Sequence, residues 1–150
     1  MVNVCAMDLR CVYKCFPALA VAAGALLLHG CEKPPALDAS SANVKHITQG
    51  DFADEVSHST QPVVVDFYSR WSGQCEQFAP LLDRVAGDFT GKIKFVKLNV
   101  DESPGVAQNY QVQTTPTVLM FKDGKLADHV QGMISEADLK AKLTTLTPAK

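Results

Sequence analysis

The hydrophobic and polar positions from residue 44 to residue 150 follow an ordered series of strand and helix patterns. Residues 62–68 (PVVVDFY) form an apolar, β-branched run that is typical of a fully buried strand. Residues 73–89 carry apolar side chains at helical spacing, and Pro80 within them removes one helical hydrogen bond, which should kink this helix. The first half of this region therefore predicts a central strand followed by a long helix.

Further segments complete the series. Strands are predicted at residues 44–47, 93–100, 117–121 and 126–130, the last two joined by a tight turn at Asp123-Gly124. Helices are predicted at residues 52–57, at residues 104–110 and after Ser135. The order βαβαβαββα predicts an α/β domain with a central mixed β-sheet flanked by helices. Strands joined by helices favour parallel pairing, and the closing hairpin adds antiparallel edges.

A different pattern occupies the start of the chain. Residues 16–28 are 13 consecutive residues without a charge, preceded by Arg10 and Lys14. This run is shorter than the roughly 18 apolar residues that cross a bilayer, and it fits the apolar core of a secretory signal peptide. The true start of translation is left open between Met1 and Met7.

The sequence Leu28-His29-Gly30-Cys31 resembles a bacterial lipobox, in which the cysteine becomes lipidated. It predicts a signal peptide at residues 1–30, a lipidated Cys31 with a flexible tether at residues 31–43, and a folded domain at residues 44–150. The expected location is the cell envelope, anchored to a membrane and facing the periplasm or the cell exterior. An ordinary signal peptide and an uncleaved anchor are the alternatives.

The amino-acid composition excludes some classes of protein and argues against others. Apolar residues make up 47% of the chain and charged residues 20%, with a formal net charge of −2. These values exclude an intrinsically disordered chain and give no support for a nucleic-acid partner, which would favour a basic protein.

The five cysteines place a further limit on the chemistry. Three lie in the predicted signal peptide and Cys31 at the lipidation site, which leaves Cys75 as the single free thiol of the mature domain. A disulfide within the domain is therefore excluded. No Cys/His spacing indicates a metal site, and no cofactor is predicted.

Three separate stretches resemble thioredoxin: VVVDFYSRWSGQCEQFAPLLDRVA, KIKFVKLNVDESPGVAQNY and TTPTVLMFKDGK. The resemblance implies the thioredoxin fold and protein-disulfide reduction as the family activity. The family sequence W-C-G-P-C is replaced here by residues 71–75, Trp-Ser-Gly-Gln-Cys. Ser72 thus stands at the position of the first, attacking cysteine, and Gln74 at the position of the proline.

Ser72 cannot perform the role of that cysteine. A cysteine at a helix N-terminus is held as a reactive thiolate, whereas a serine hydroxyl stays protonated without a general base and forms no disulfide. Ser72 is expected instead to cap the helix, contributing about 1 kcal/mol. Dithiol exchange is excluded within one chain, unless an unlipidated Cys31 reaches Cys75.

Two interpretations of Cys75 stay open. It is either a small buried apolar residue or a lone thiol that forms a mixed disulfide with a partner cysteine or glutathione. The resemblance implies that Asp66 assists proton transfer at this cysteine, although a buried acid can also be purely structural.

The resemblance also implies a groove that pairs with extended substrate peptides, next to a cis peptide bond between Thr115 and Pro116. Its expected residues are Trp71, Gly73, Gln74, Thr115, Pro116 and Gly132. The first hypothesis is a redox-impaired module that binds proteins or peptides. The alternative is a thiol-disulfide oxidoreductase that works by monothiol exchange at Cys75.

Overall fold

The computed structural model describes Leu37 and residues 41–147. The predicted signal peptide, Cys31 and most of the predicted tether lie outside the described residues. The elements, in chain order, are β1 Lys45–Ile47, a short π-helix Ala53–Ser57, β2 Val63–Tyr68, α1 Gly73–Asp88, β3 Lys94–Asn99, α2 Pro104–Asn109, β4 Thr117–Lys122, β5 Lys125–Gln131 and α3 Glu136–Leu146. Each predicted strand and helix is present, with shifts of a few residues at its ends.

The five strands form one mixed sheet in the order β1-β3-β2-β4-β5. β3 is parallel to both β1 and β2, whereas β4 is antiparallel to β2 and to β5. Helix α2 therefore leads into an antiparallel strand, although helical connections alone favour parallel pairing. This sheet is the mixed sheet that the order of elements predicts, with β2 at its centre.

A hydrophobic core lies on each face of the sheet. On one face, Val64 and Met120 of the central strands pack with Phe78 and Leu82 of α1 and with Leu143 of α3. The opposite face is covered by the π-helix and α2, through residues that include Phe52, Val56 and Val106. β2 is buried along its whole length because both faces are covered, which explains its nearly continuous apolar sequence.

The two predicted helix starts behave differently. Ser135 caps α3, since its hydroxyl accepts a hydrogen bond from the backbone N–H of Asp138 at 3.2 Å. At Thr48, the hydroxyl and the backbone N–H both donate to the Asp51 carboxylate, at 2.7 and 3.0 Å. This turn leads into the π-helix rather than into the expected α-helix.

Among the helices of residues 41–147, none combines the length and the apolar character needed to cross a membrane.

Candidate functional site

The candidate site forms where β2 ends and α1 begins, next to the loop that enters β4. The chain leaves β2 at Tyr68 and crosses residues 69–72 before α1 starts at Gly73. The hydroxyl of Ser69 donates to the Asp101 carboxylate at 2.8 Å, and Arg70 pairs with Glu102. These contacts fasten the loop that carries Trp71 and Ser72 to the end of β3.

Ser72 occupies the N-cap position of α1, as predicted, but its side chain does not cap the helix. The hydroxyl donates instead to the backbone carbonyl oxygen of Thr115, 3.4 Å away, while the Ser72 carbonyl accepts from the N–H of Cys75. The expected contribution of about 1 kcal/mol from side-chain capping is therefore not supported. The hydroxyl is directed across the site toward the loop before β4.

Cys75 lies in the first turn of α1 and is 2% exposed. It is the only free cysteine among the described residues. One helical turn separates it from Ser72, so the oxygen and the sulfur stand on the same side of the helix start. Ser72 is half-buried in this position, whereas Cys75 is buried.

Asp66 is buried at the centre of β2, paired in register with Lys97 of β3 and Val118 of β4. Its Oδ1 atom has no hydrogen-bond partner among the residues that the structure describes. Burial raises the pKa of this carboxyl to about 7, and the positive charge of Lys97 opposes the rise only in part. A carboxyl in this state can hold or release a proton near neutral pH.

A cavity of about 330 Å³ reaches Asp66 along one side of α1. Its wall includes Glu76 and Ala79, which follow Cys75 by one residue and by one helical turn. The buried acid and the first turns of α1 therefore face the same cavity. The other lining residues are Leu37, Ser41, Val44, Pro80, Leu82, Asp83 and Lys97.

The residues expected to bind peptides surround the start of α1. Trp71 is 80% exposed, and Gly73 and Gln74 are also exposed. The Thr115–Pro116 peptide bond is cis, as expected. The backbone N–H of Gly132 donates to the Pro116 carbonyl oxygen at 2.8 Å, which attaches the loop after β5 to the loop before β4.

Sequence reasoning missed two residues of this region. Lys97 is 8% exposed and lies opposite Asp66 in the sheet, a relationship that requires the β2–β3 register. Met133 is 46% exposed and directly follows Gly132. The sequence could have indicated Met133, because this apolar residue directly follows Gly132, a residue of the predicted groove.

No group of three or more His, Cys, Asp or Glu side chains that could hold a metal ion occurs within residues 41–147 or at Leu37.

The domain has a thioredoxin-like α/β architecture. It combines a five-stranded mixed sheet, a helix that starts directly after Ser72, and a cis proline in the loop that the Ser72 hydroxyl contacts. The thioredoxin family model matches residues 43–145, so the chain belongs to the thioredoxin family.

Named relatives agree with this assignment. The chain is 41% identical over 97 residues to Thioredoxin 1 of Nostoc sp., covering 65% of this chain and 91% of the relative. It is 38% identical over 101 residues to Thioredoxin of Pseudomonas aeruginosa, covering 67% of this chain and 94% of the relative. The matched segment thus corresponds to nearly the whole length of these proteins, and we expect it to fold by itself.

Proposed function

We propose that this thioredoxin-family domain binds extended polypeptides beside Ser72 and lacks dithiol reductase activity. The observation that carries the proposal is the oxygen of Ser72 at the N-terminus of α1, with the thiol of Cys75 buried one turn later. The partner of the Ser72 hydroxyl is a peptide carbonyl, which cannot act as a general base. The hydroxyl therefore stays protonated and does not attack disulfides.

Peptide binding is supported by the surface around Ser72. The exposed ring of Trp71 offers a large apolar contact, and Met133 adds a second one. We propose that an extended chain forms strand-like hydrogen bonds with the backbone of Thr115, next to the cis bond, because the N–H of Gly132 and the carbonyl oxygen of Pro116 already bond to each other. An exposed apolar surface with neighbouring backbone groups suits an unfolded segment with bulky apolar side chains.

A fragment of residues 33–150, in which Cys75 is the single cysteine, tests both parts of the proposal. Insulin reduction by dithiothreitol measures turnover, and calorimetry with carboxamidomethylated insulin B chain measures binding without free thiols. We expect the uncatalysed rate of reduction together with measurable binding. Dithiol-type turnover well above the uncatalysed rate would refute the redox-impaired module.

A second candidate, monothiol exchange at Cys75, is favoured by the near-neutral pKa of Asp66. Asp66 would accept the thiol proton, and the Cys75 thiolate would then attack one sulfur of a substrate disulfide. The substrate S–S bond breaks, its other sulfur leaves as a thiolate, and a mixed disulfide forms at Cys75. A second thiol, from glutathione or a partner cysteine, then attacks the Cys75 sulfur, which releases the substrate as a thiol and leaves the second thiol bonded to Cys75. A third thiol attacks this new disulfide, frees Cys75 and departs as a disulfide with the second thiol.

Mass spectrometry after incubation with glutathione disulfide tests this candidate. Monothiol exchange predicts a glutathione adduct at Cys75 that forms more slowly in Asp66→Asn and is absent in Cys75→Ala. A native Cys75 that stays unmodified, while the urea-unfolded chain reacts, would identify Cys75 as a structural residue.

We also propose that Cys31 anchors the domain to a membrane of the cell envelope. The support is the charged start, the apolar run and the lipobox-like residues 28–31. Incorporation of labelled palmitate into the full chain in bacterial cells is expected, and Cys31→Ser should abolish it while Cys15→Ser should not. Labelling that persists in Cys31→Ser would contradict this anchor.

A further inference from the structure

We infer that residues 41–44 form a cover on the cavity that leads to Asp66, and that the contact between Asn43 and Asp83 holds this cover closed. The cover consists of residues 41–43, which were predicted as the end of the flexible tether, together with Val44, and it leads directly into β1. Solvent access to Asp66 is a property of the domain alone and does not depend on whether a peptide binds beside Ser72.

Hydrogen bonds join the cover to α1. The backbone N–H of Asn43 donates to the Asp83 carboxylate at 3.3 Å, and the Asn43 side-chain amide donates to the Asp83 carbonyl oxygen at 3.2 Å. Gly87, one turn further along α1, leaves room for this approach, since a Cβ atom there would lie 3.4 Å from the Asn43 amide nitrogen. Asn43 thus packs against two successive turns of α1, at Asp83 and at Gly87.

The cover also has an internal turn. The Ser41 N–H donates to the Val44 carbonyl oxygen at 3.1 Å, and the Val44 N–H donates to the Ser41 hydroxyl at 3.2 Å. Val44 is 3% exposed and leads directly into β1. The cover is therefore fixed by β1 at one end and by Asp83 beside it.

Two residues of the cover, Ser41 and Val44, line the same cavity as Asp66 and the residues of α1. Ser41 and Val44 line one side together with Leu37, while Ala79, Pro80 and Leu82 line the helical side. This lining is mostly apolar, and it encloses a carboxyl whose Oδ1 atom has no hydrogen-bond partner among the described residues. Displacing the cover would admit water to a charge that burial now disfavours.

Among the described residues that line this cavity, three besides Asp66 carry a charge. Lys97 comes from β3, and Glu76 and Asp83 come from α1. Val118 of β4, which pairs with Asp66, is apolar, and the cover itself carries no charged side chain. Opening the cover changes the solvent exposure of Asp66 without removing any of these charges.

Titration of the Asp66 carboxyl by carbon-13 NMR in the fragment 33–150 tests the cover. The double variant Ser41→Ala, Asn43→Ala removes both side-chain contacts at constant charge, and an N-acetylated chain that starts at Lys45 removes the cover altogether without adding a terminal positive charge. In both, we expect the titration midpoint to fall from about 7 by about one pH unit, because water stabilises the carboxylate. Far-UV circular dichroism verifies that each protein is folded.

Asp83→Asn is the matched control, since it removes a negative charge but keeps an oxygen that can accept from the Asn43 N–H. A smaller fall in this control than in the double variant supports the cover. A midpoint that falls in Asp83→Asn but not in the double variant, which changes no charge, would assign the effect to charge and overturn the inference. An unchanged midpoint in both the double variant and the shortened chain would overturn it as well.

Discussion

The Ser72 hydroxyl donates a hydrogen bond to the carbonyl oxygen of Thr115, 3.4 Å away and 43 residues later in the chain. This contact joins the start of α1 to the loop before β4, the two parts of the candidate site. It also directs the oxygen at a group that cannot take its proton. We therefore expect the hydroxyl to remain protonated and unreactive toward disulfides, as the proposed function requires.

Replacing Ser72 with cysteine should create dithiol reductase activity. The new thiol would stand at the N-terminus of α1, which favours a thiolate, one turn before Cys75. We expect insulin reduction to rise by about an order of magnitude or more above the uncatalysed rate. Ser72→Ala, which removes the hydroxyl without adding sulfur, is the control and should show no gain. If Ser72→Cys is also inactive, Gln74 or another departure from the family sequence prevents turnover.

Trp71→Ala should weaken polypeptide binding without changing stability. The ring is 80% exposed, so its removal costs little folding energy, whereas a bound chain would lose a large apolar contact. Calorimetry with carboxamidomethylated insulin B chain should show an affinity about tenfold lower. Leu126→Ala is the matched control, because Leu126 is 47% exposed but lies on β5. Equal losses in the two variants would argue against a groove at Trp71.

Asp66 should make the domain less stable as the pH rises from 5 to 8. Its folded-state pKa of about 7 lies above the ordinary value of 3.8, so the folded state binds more protons than the unfolded state between these values. Stability is then greatest at low pH and falls until the pH passes 7, by on the order of 2 kcal/mol between pH 5 and pH 8.

Urea unfolding at both pH values measures this loss, with Asp66→Asn as the comparison. The amide cannot ionise, so the variant should lose much less stability over the same interval. The pKa values of Asp51, Glu55, Asp128 and Glu136 are lowered by hydrogen bonds and nearby cations, so these acids are already ionised in the folded state and contribute little in this range. Parallel pH profiles for the wild type and Asp66→Asn would contradict the assignment.

Gly124→Ala should destabilise the domain strongly. Gly124 has a φ of +72°, and an added Cβ would lie 2.2 Å from the backbone carbonyl oxygen of Ser57. The backbone must shift, at an expected cost of about 2 kcal/mol or more in urea unfolding. Gly91→Ala is the matched control: its φ of +77° is nearly the same, but an added Cβ meets no atom within 4 Å. A cost for Gly124→Ala no larger than that for Gly91→Ala would show that the loop adapts.

The strands and helices could be predicted because their patterns are local. The buried run of β2 and the helical spacing of α1 each lie within one segment, and the structure places them within a residue of the prediction. The antiparallel pairing of β4 with β2 could not be derived in this way, since it depends on how distant segments cross.

The candidate site was predictable in part for the same reason. Ser72, Cys75 and the Thr115–Pro116 bond stand in recognisable sequences, whereas the direction of the Ser72 hydroxyl depends on a loop 43 residues away. Lys97 becomes relevant only through its register with Asp66, and Asn43 only through its contact with Asp83. These relationships are tertiary, so no local pattern contains them.

The burial of Cys75 also bears on how a newly made chain avoids disulfide exchange with other molecules. Before α1 packs against β2, the Cys75 sulfur is accessible to thiol–disulfide exchange, and a disulfide between two chains could form through it. Once α1 has packed against the sheet, the Cys75 thiol is 2% exposed. A disulfide or a second chain can then reach it only after local opening of the structure. Folding therefore ends the period in which two copies can form an intermolecular disulfide through Cys75. Because the domain contains this single cysteine, no disulfide isomerase is needed to correct a disulfide within it.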